Sequence, residues 1–135
     1  MSTLTFVLMD PPFESARTTT ALRLIDSALR RGHHVNVFAY EGAVALPFAK
    51  QAPHANAVHG RALEEEDHPL TREWIAALRD LAAERGLRFD WVNCGLCVDE
   101  RGVGEWIEGL RRGGPPQLAE FVRSSDNVLV VPTTE

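Results

Sequence analysis

Cys94 and Cys97 stand in the run Cys94-Gly95-Leu96-Cys97, and thiols are the side chains here best suited to covalent chemistry. A cysteine attacks as its thiolate, a form favoured by a helix N-terminus or a nearby cation. Cys94 is expected where a strand gives way to a turn or helix, which makes it the candidate nucleophile. Arg101 follows in the same stretch as a candidate thiolate stabiliser, with Asp99 and Glu100 opposing it. The C-x-x-C spacing also permits an intramolecular disulfide, with Cys97 as the resolving thiol. Against both readings stands the plain one, in which the two cysteines are small buried hydrophobes. A zinc site would need two further ligands. The chain has no second C-x-x-C and no H-x-x-x-H pair, and His33, His34, His54, His59 and His68 are scattered, so no metal is expected.

The elements that must position these thiols follow from periodicity. Leu4 to Met9 is short, apolar and β-prone and is stopped by Asp10-Pro11-Pro12, so it reads as a buried first strand. From Thr18 the apolar residues Ala21, Leu22, Ile25, Ala28 and Leu29 recur at helical spacing, and Gly32 ends a helix over 18–31. His33 to Tyr40 alternates as a second strand. Glu41 to Leu46 adds a short helix, and 47–67 reads as a long surface excursion with an acidic, solvated run at Glu64-Glu65-Glu66-Asp67. Leu70, Trp74, Ala77, Leu78 and Leu81 mark another helix, Leu87 to Asn93 a third strand, Gln117 to Ser124 a last helix and Val128 to Val131 a final buried strand.

Strands alternating with helices in this way predict a single domain over 1–135 with a three-layer α/β/α sandwich and a mainly parallel, doubly wound, flavodoxin-like sheet. In such sheets reactive groups gather beyond the carboxyl ends of the strands, which is where Cys94 falls. A thioredoxin-type motif would instead follow an early strand and open a long helix.

The 135 residues suffice to bury about two-thirds of the surface that the unfolded chain exposes. A formal charge of -5 argues against general binding to a phosphate backbone, so nucleic acid is not an expected partner. The apolar runs fall far short of the roughly 20 residues that span a bilayer. With no secretory signal at the N-terminus, the expected location is the cytoplasm, where both thiols are reduced at rest. No G-x-G-x-x-G follows the first strand and no Walker motif occurs, so no nucleotide cofactor is expected. Thr18, Thr19 and Thr20 could donate to a small anion but read first as helix capping. Trp74, Trp91 and Trp106 read as core or interface residues.

Taken together, these features resemble the DsrE/DsrF/TusD-like family of intracellular sulfur-transfer proteins. The resemblance rests on the first strand with its Pro-containing loop and Thr-rich helix start, the Gly32-His33 step into the second strand, and Leu87-Arg88-Phe89-Asp90-Trp91-Val92-Asn93-Cys94 leading to Arg101-Gly102-Val103. It closes with Leu118-Ala119-Glu120-Phe121 running into Ser125-Asp126-Asn127-Val128-Leu129. It implies a DsrE-like three-layer fold, association into homo- or hetero-oligomers, and a cysteine after the third strand that carries sulfane sulfur as a persulfide. Cys94 matches that position. The resemblance further implies a small sulfur-carrier protein as donor or acceptor and sulfurtransferase chemistry without metal or organic cofactor. The apolar edge around Trp91 and Trp106 could support self-association. The competing readings are a dithiol redox protein using Cys94 and Cys97, and a non-catalytic oligomeric scaffold.

Overall fold

The computed structural model describes residues 2–53, 62 and 69–133. The acidic run 64–67, His54, His59, His68 and most of the 47–67 excursion lie outside these residues. Among the described residues five strands form one sheet: β1 (Thr3–Leu8), β2 (His34–Ala39), β3 (Phe89–Cys94), β4 (Arg111–Gly113) and β5 (Asn127–Val131). Four α-helices connect them: α1 (Ala16–Arg30), α2 (Thr71–Glu84), α3 (Gly95–Arg101) and α4 (Pro115–Ser124), with a 3-10 turn over Glu41–Ala45.

The sheet order is β4-β3-β2-β1-β5 and every neighbouring pair is parallel. The chain steps outward from β1 through β2 and β3 to β4, then returns across the sheet to place β5 on the other side of β1. Parallel strands covered on both faces read as continuous apolar runs, as β2 does from Val35 to Ala39, broken only by Asn36. Asn36 is accommodated because its amide donates to the Thr5 hydroxyl on β1.

One face of the sheet, carrying Phe6, Leu8, Val35, Val37 and Trp91, packs on Leu22, Ile25 and Leu29 of α1 and on Ile75 and Leu78 of α2. The opposite face, carrying Val7, Phe38 and Val92, packs on Phe121 of α4 with Leu118 and Val128 alongside. Helices on both faces make the three-layer α/β/α sandwich that the sequence predicts.

Four local expectations are corrected. α1 begins at Ala16 rather than Thr18, because Ser15 caps it by accepting from the Arg17 N–H at 3.2 Å. Thr18 is thereby buried inside the first turn and donates its hydroxyl to the Pro11 carbonyl. α4 begins at Pro115, since proline needs no donor in a first turn, and Gln117 reaches back to accept the Gly114 N–H at 2.7 Å. β5 is not a buried strand: it pairs only with β1, at the sheet's edge, and leaves Leu129 43% and Val130 50% exposed. Trp91 cannot line an apolar surface edge either, because it is fully buried. Its indole donates to Asn93 Oδ1 at 2.9 Å within the core.

Candidate functional site

β3 runs Phe89-Asp90-Trp91-Val92-Asn93-Cys94, and Cys94 is both its last residue and the N-cap of α3. Strand pairing therefore fixes the backbone on one side of the thiol, and the first helical turn fixes it on the other. Cys97 occupies the third position of that turn. An N-cap side chain and a third-position residue face one another across a first turn, the relation used by capping boxes. Here it places Cys94 against the small cluster of Val44, Cys97 and Val98.

The two thiols sit in different environments. Cys94 is half-buried and open to solvent, whereas Cys97 is 9% exposed and packs with Val44 and Val98. Burial pushes the Cys97 thiol above its ordinary value, and the Cys94 sulfur and the Glu41 charge push in the same direction. The Glu41 N–H opposes them by donating to Cys97 Sγ at 3.2 Å. Glu41 takes up a left-handed backbone, φ 51, to aim that N–H. Tyr40 packs against both cysteine-bearing clusters, and burial raises its phenol, helped by the charges of Glu41 and Cys97. Both thiols are free.

Arg101 lies on α3, but its guanidinium is engaged by Glu41 at 3.2 Å, by Glu100 at 3.6 Å and by the Cys97 carbonyl at 3.2 Å. It ties α3 to the 41–45 segment and so braces Cys97. The cation beside Cys94 is Arg112 of β4, which sequence reasoning missed. Asp99 holds Arg112 through two parallel bonds, Nη1 to Oδ1 at 3.0 Å and Nη2 to Oδ2 at 2.8 Å. That pairing raises the Arg112 guanidinium above its ordinary value, with a smaller contribution from the charge that Cys94 can carry, and it lowers the Asp99 carboxyl.

The Arg112 guanidinium lies directly on Gly95. A Cβ there would fall 2.5 Å from Arg112 Nε, so glycine leaves the room in which the guanidinium lies against the residue after the thiol. Gly102, at φ 65, then ends α3 in the left-handed cap that permits so short a helix. The signal that could have found Arg112 is the pair Arg111-Arg112 before Gly113-Gly114. Three residues without apolar alternation do not read as a strand, so the sequence offers no reason to bring them beside β3.

The Arg112 charge is thus held at the residue that follows Cys94. Arg112→Gln is therefore expected to slow alkylation of Cys94 by iodoacetamide at neutral pH by about threefold to tenfold, with Arg112→Lys in between. Rates measured by mass spectrometry that do not change on substitution would remove Arg112 from the site.

Among the described residues no three His, Cys, Asp or Glu side chains cluster as a metal site. No helix among them is long and apolar enough to cross a membrane.

The model of the DsrE/DsrF-like family matches residues 2–131. An uncharacterized protein of Methanopyrus kandleri is 29% identical over 128 residues, covering 93% of this chain and 91% of its own. Another, from Methanocaldococcus jannaschii, is 28% identical over 127 residues and covers 93% and 96%. Among solved structures, the ychN protein of E. coli is similar with a TM-score of 0.73 at 20% identity, covering 96% of this chain and 99% of that one. A conserved protein of unknown function from Bacteroides thetaiotaomicron is similar with a TM-score of 0.59 at 13% identity, covering 96% and 95%. At these identities the structures speak to the fold alone.

Proposed function

The chain belongs to the DsrE/DsrF-like family, which is associated with sulfur relay, and on that premise we propose that it is an intracellular sulfur-transfer protein carrying sulfane sulfur as a persulfide on Cys94. The observation that carries this reading is a solvent-open thiol at the carboxyl end of β3 with the Arg112 guanidinium against the following residue, Gly95. The Cys94 thiolate attacks the outer sulfur of a donor persulfide, the donor leaves as a thiolate, and Cys94 becomes Cys94-S-SH. An acceptor thiolate then takes that outer sulfur and returns Cys94 to the thiolate. No metal or organic cofactor enters either step.

The partner in this reading is a small sulfur-carrier protein. Its docking is favoured by Leu96, which is 73% exposed between the two cysteines and offers an apolar contact beside the thiol. Self-association, sought in sequence around Trp91 and Trp106, is better supported at the β5 edge, where Leu24 and Leu129 lie exposed beside one another's elements and backbone groups are open to pairing.

The test is to incubate the reduced protein with inorganic polysulfide, remove the excess, and locate the added sulfur by intact mass and peptide mapping. One sulfur on Cys94 is the expected result, and its absence with free thiols intact would favour a non-catalytic scaffold. The placement of both thiols in one helical turn favours one second reading, a dithiol redox protein; that reading predicts a Cys94–Cys97 disulfide as the lasting product and no sulfur passed to an acceptor thiol.

A further inference from the structure

We propose that the chain has a second outlet for its sulfur: Cys97 resolves the Cys94 persulfide within the same molecule and releases the outer sulfur as sulfide. The inference rests on the persulfide reading above. Its ground is the geometry of the pair. Cys94 is the solvent-open N-cap and Cys97 the buried third residue of one helical turn, and Cys94 packs against the cluster that holds Cys97. A persulfide is built outward from the Cys94 sulfur, so its inner sulfur keeps Cys97 as a neighbour while its outer sulfur points away toward solvent or a partner.

The step balances without an added oxidant. The Cys97 sulfur attacks the inner sulfur of Cys94-S-SH, the Cys94–Cys97 bond forms, and the bond to the outer sulfur breaks. The electron pair of the broken bond leaves with the outer sulfur as hydrosulfide, and the proton lost by Cys97 goes to it or to water. The protein is left with one disulfide. Two electrons from an external thiol or dithiol reductant, itself oxidised to a disulfide, return both cysteines to thiols.

What surrounds Cys97 decides when this happens. From the 40–45 segment Tyr40 and the Glu41 carboxylate face it; from α3 there is Arg101 at its carbonyl; from the end of β3 there is Cys94 itself. Burial dominates and keeps the thiol protonated at neutral pH, so an acceptor thiol that docks promptly takes the sulfur first. The Glu41 N–H meanwhile holds the Cys97 sulfur in place and stabilises its thiolate when it forms. The inner reaction thus serves a persulfide that no partner collects.

The experiment loads the full-length reduced protein with inorganic polysulfide, desalts it, and follows sulfide release and intact mass with no thiol present. Wild type is expected to convert from the one-sulfur adduct to a species short of two hydrogens, releasing one sulfide per chain. Cys97→Ser and Cys97→Ala, both checked for fold by circular dichroism, are expected to keep the adduct and release sulfide at least about tenfold more slowly. An adduct that lasts as long in wild type as in the two variants would overturn the inference and leave the carrier reading standing. No adduct on Cys94 in any of the three proteins would overturn both.

Discussion

Cys94→Ser is expected to reduce uptake of sulfane sulfur to background, at least about a hundredfold below wild type. A serine hydroxyl at this place has the same reach and the same neighbours, Arg112 against the following glycine and Cys97 behind, so geometry is preserved. What is lost is the nucleophile. A thiol is ionised to a useful extent near neutral pH and its sulfur is polarisable, whereas a hydroxyl without a general base is neither. The Cys97 thiol that remains does not replace it, because it is buried and its ionisation is pushed upward. The measurement is the mass of the desalted protein after polysulfide treatment. A one-sulfur adduct of wild-type amount in Cys94→Ser would move the acceptor role to Cys97. Because the substitution is isosteric and half-exposed, its thermal unfolding should match wild type, so loss of uptake cannot be ascribed to loss of fold.

The second large effect concerns stability. Trp91→Ala is expected to cost about 3–5 kcal/mol, the range seen for removing a large aromatic from a core. Trp91 is the largest fully buried side chain among the described residues, and it packs on the face covered by α1 and α2. Its removal opens a cavity beneath two helices that parallel strands hold in place and that cannot readily collapse. It also strips Asn93 Oδ1 of its donor inside the core, which adds the penalty of an unpaired buried acceptor. Urea unfolding should show a midpoint lowered by more than about 1 M. A shift much smaller than that would mean that the layer over β3 repacks easily. Asn93 directly precedes Cys94, so a variant that survives at lower temperature should also show a less sharply defined thiol reactivity.

The fold was more legible than the site, for a physical reason. Buried parallel strands such as Leu4 to Met9 and a helix such as 18–31 announce themselves by runs and periods of apolar residues, and both stand within two or three residues of where they were expected. The exceptions are elements held by something other than burial. β4 is three residues long and carries two arginines. β5 reads as buried from Val128-Leu129-Val130-Val131, but its place at the edge follows from the topology of the whole sheet. The thiols themselves were legible because residue type and C-x-x-C spacing are local. Their cation was not: Arg101 is near in sequence and turns to Glu41, while Arg112 comes from the next strand over. Nor could the sequence show that Glu41, at the end of β2, supplies the N–H to Cys97, since a backbone donor has no residue type.

β1 is the first strand of the chain, yet the sheet cannot be finished around it until the last strand is in place. Leu4 lies against Asn127, and the junction is fastened by the Thr3 N–H to Asp126 at 2.8 Å and by the hydroxyls of Thr5 and Ser125. Bringing together segments so far apart carries a loop-closure entropy of about 4 kcal/mol, about 1 kcal/mol more than the β1–β2 pair formed across a single helix. During synthesis, therefore, β1 must wait with one edge bare while β2, β3 and β4 assemble on the other. The seam between β1 and β5 is therefore expected to be a late contact of folding, during which an unpaired strand bearing Phe6, Val7 and Leu8 is open to the wrong neighbour.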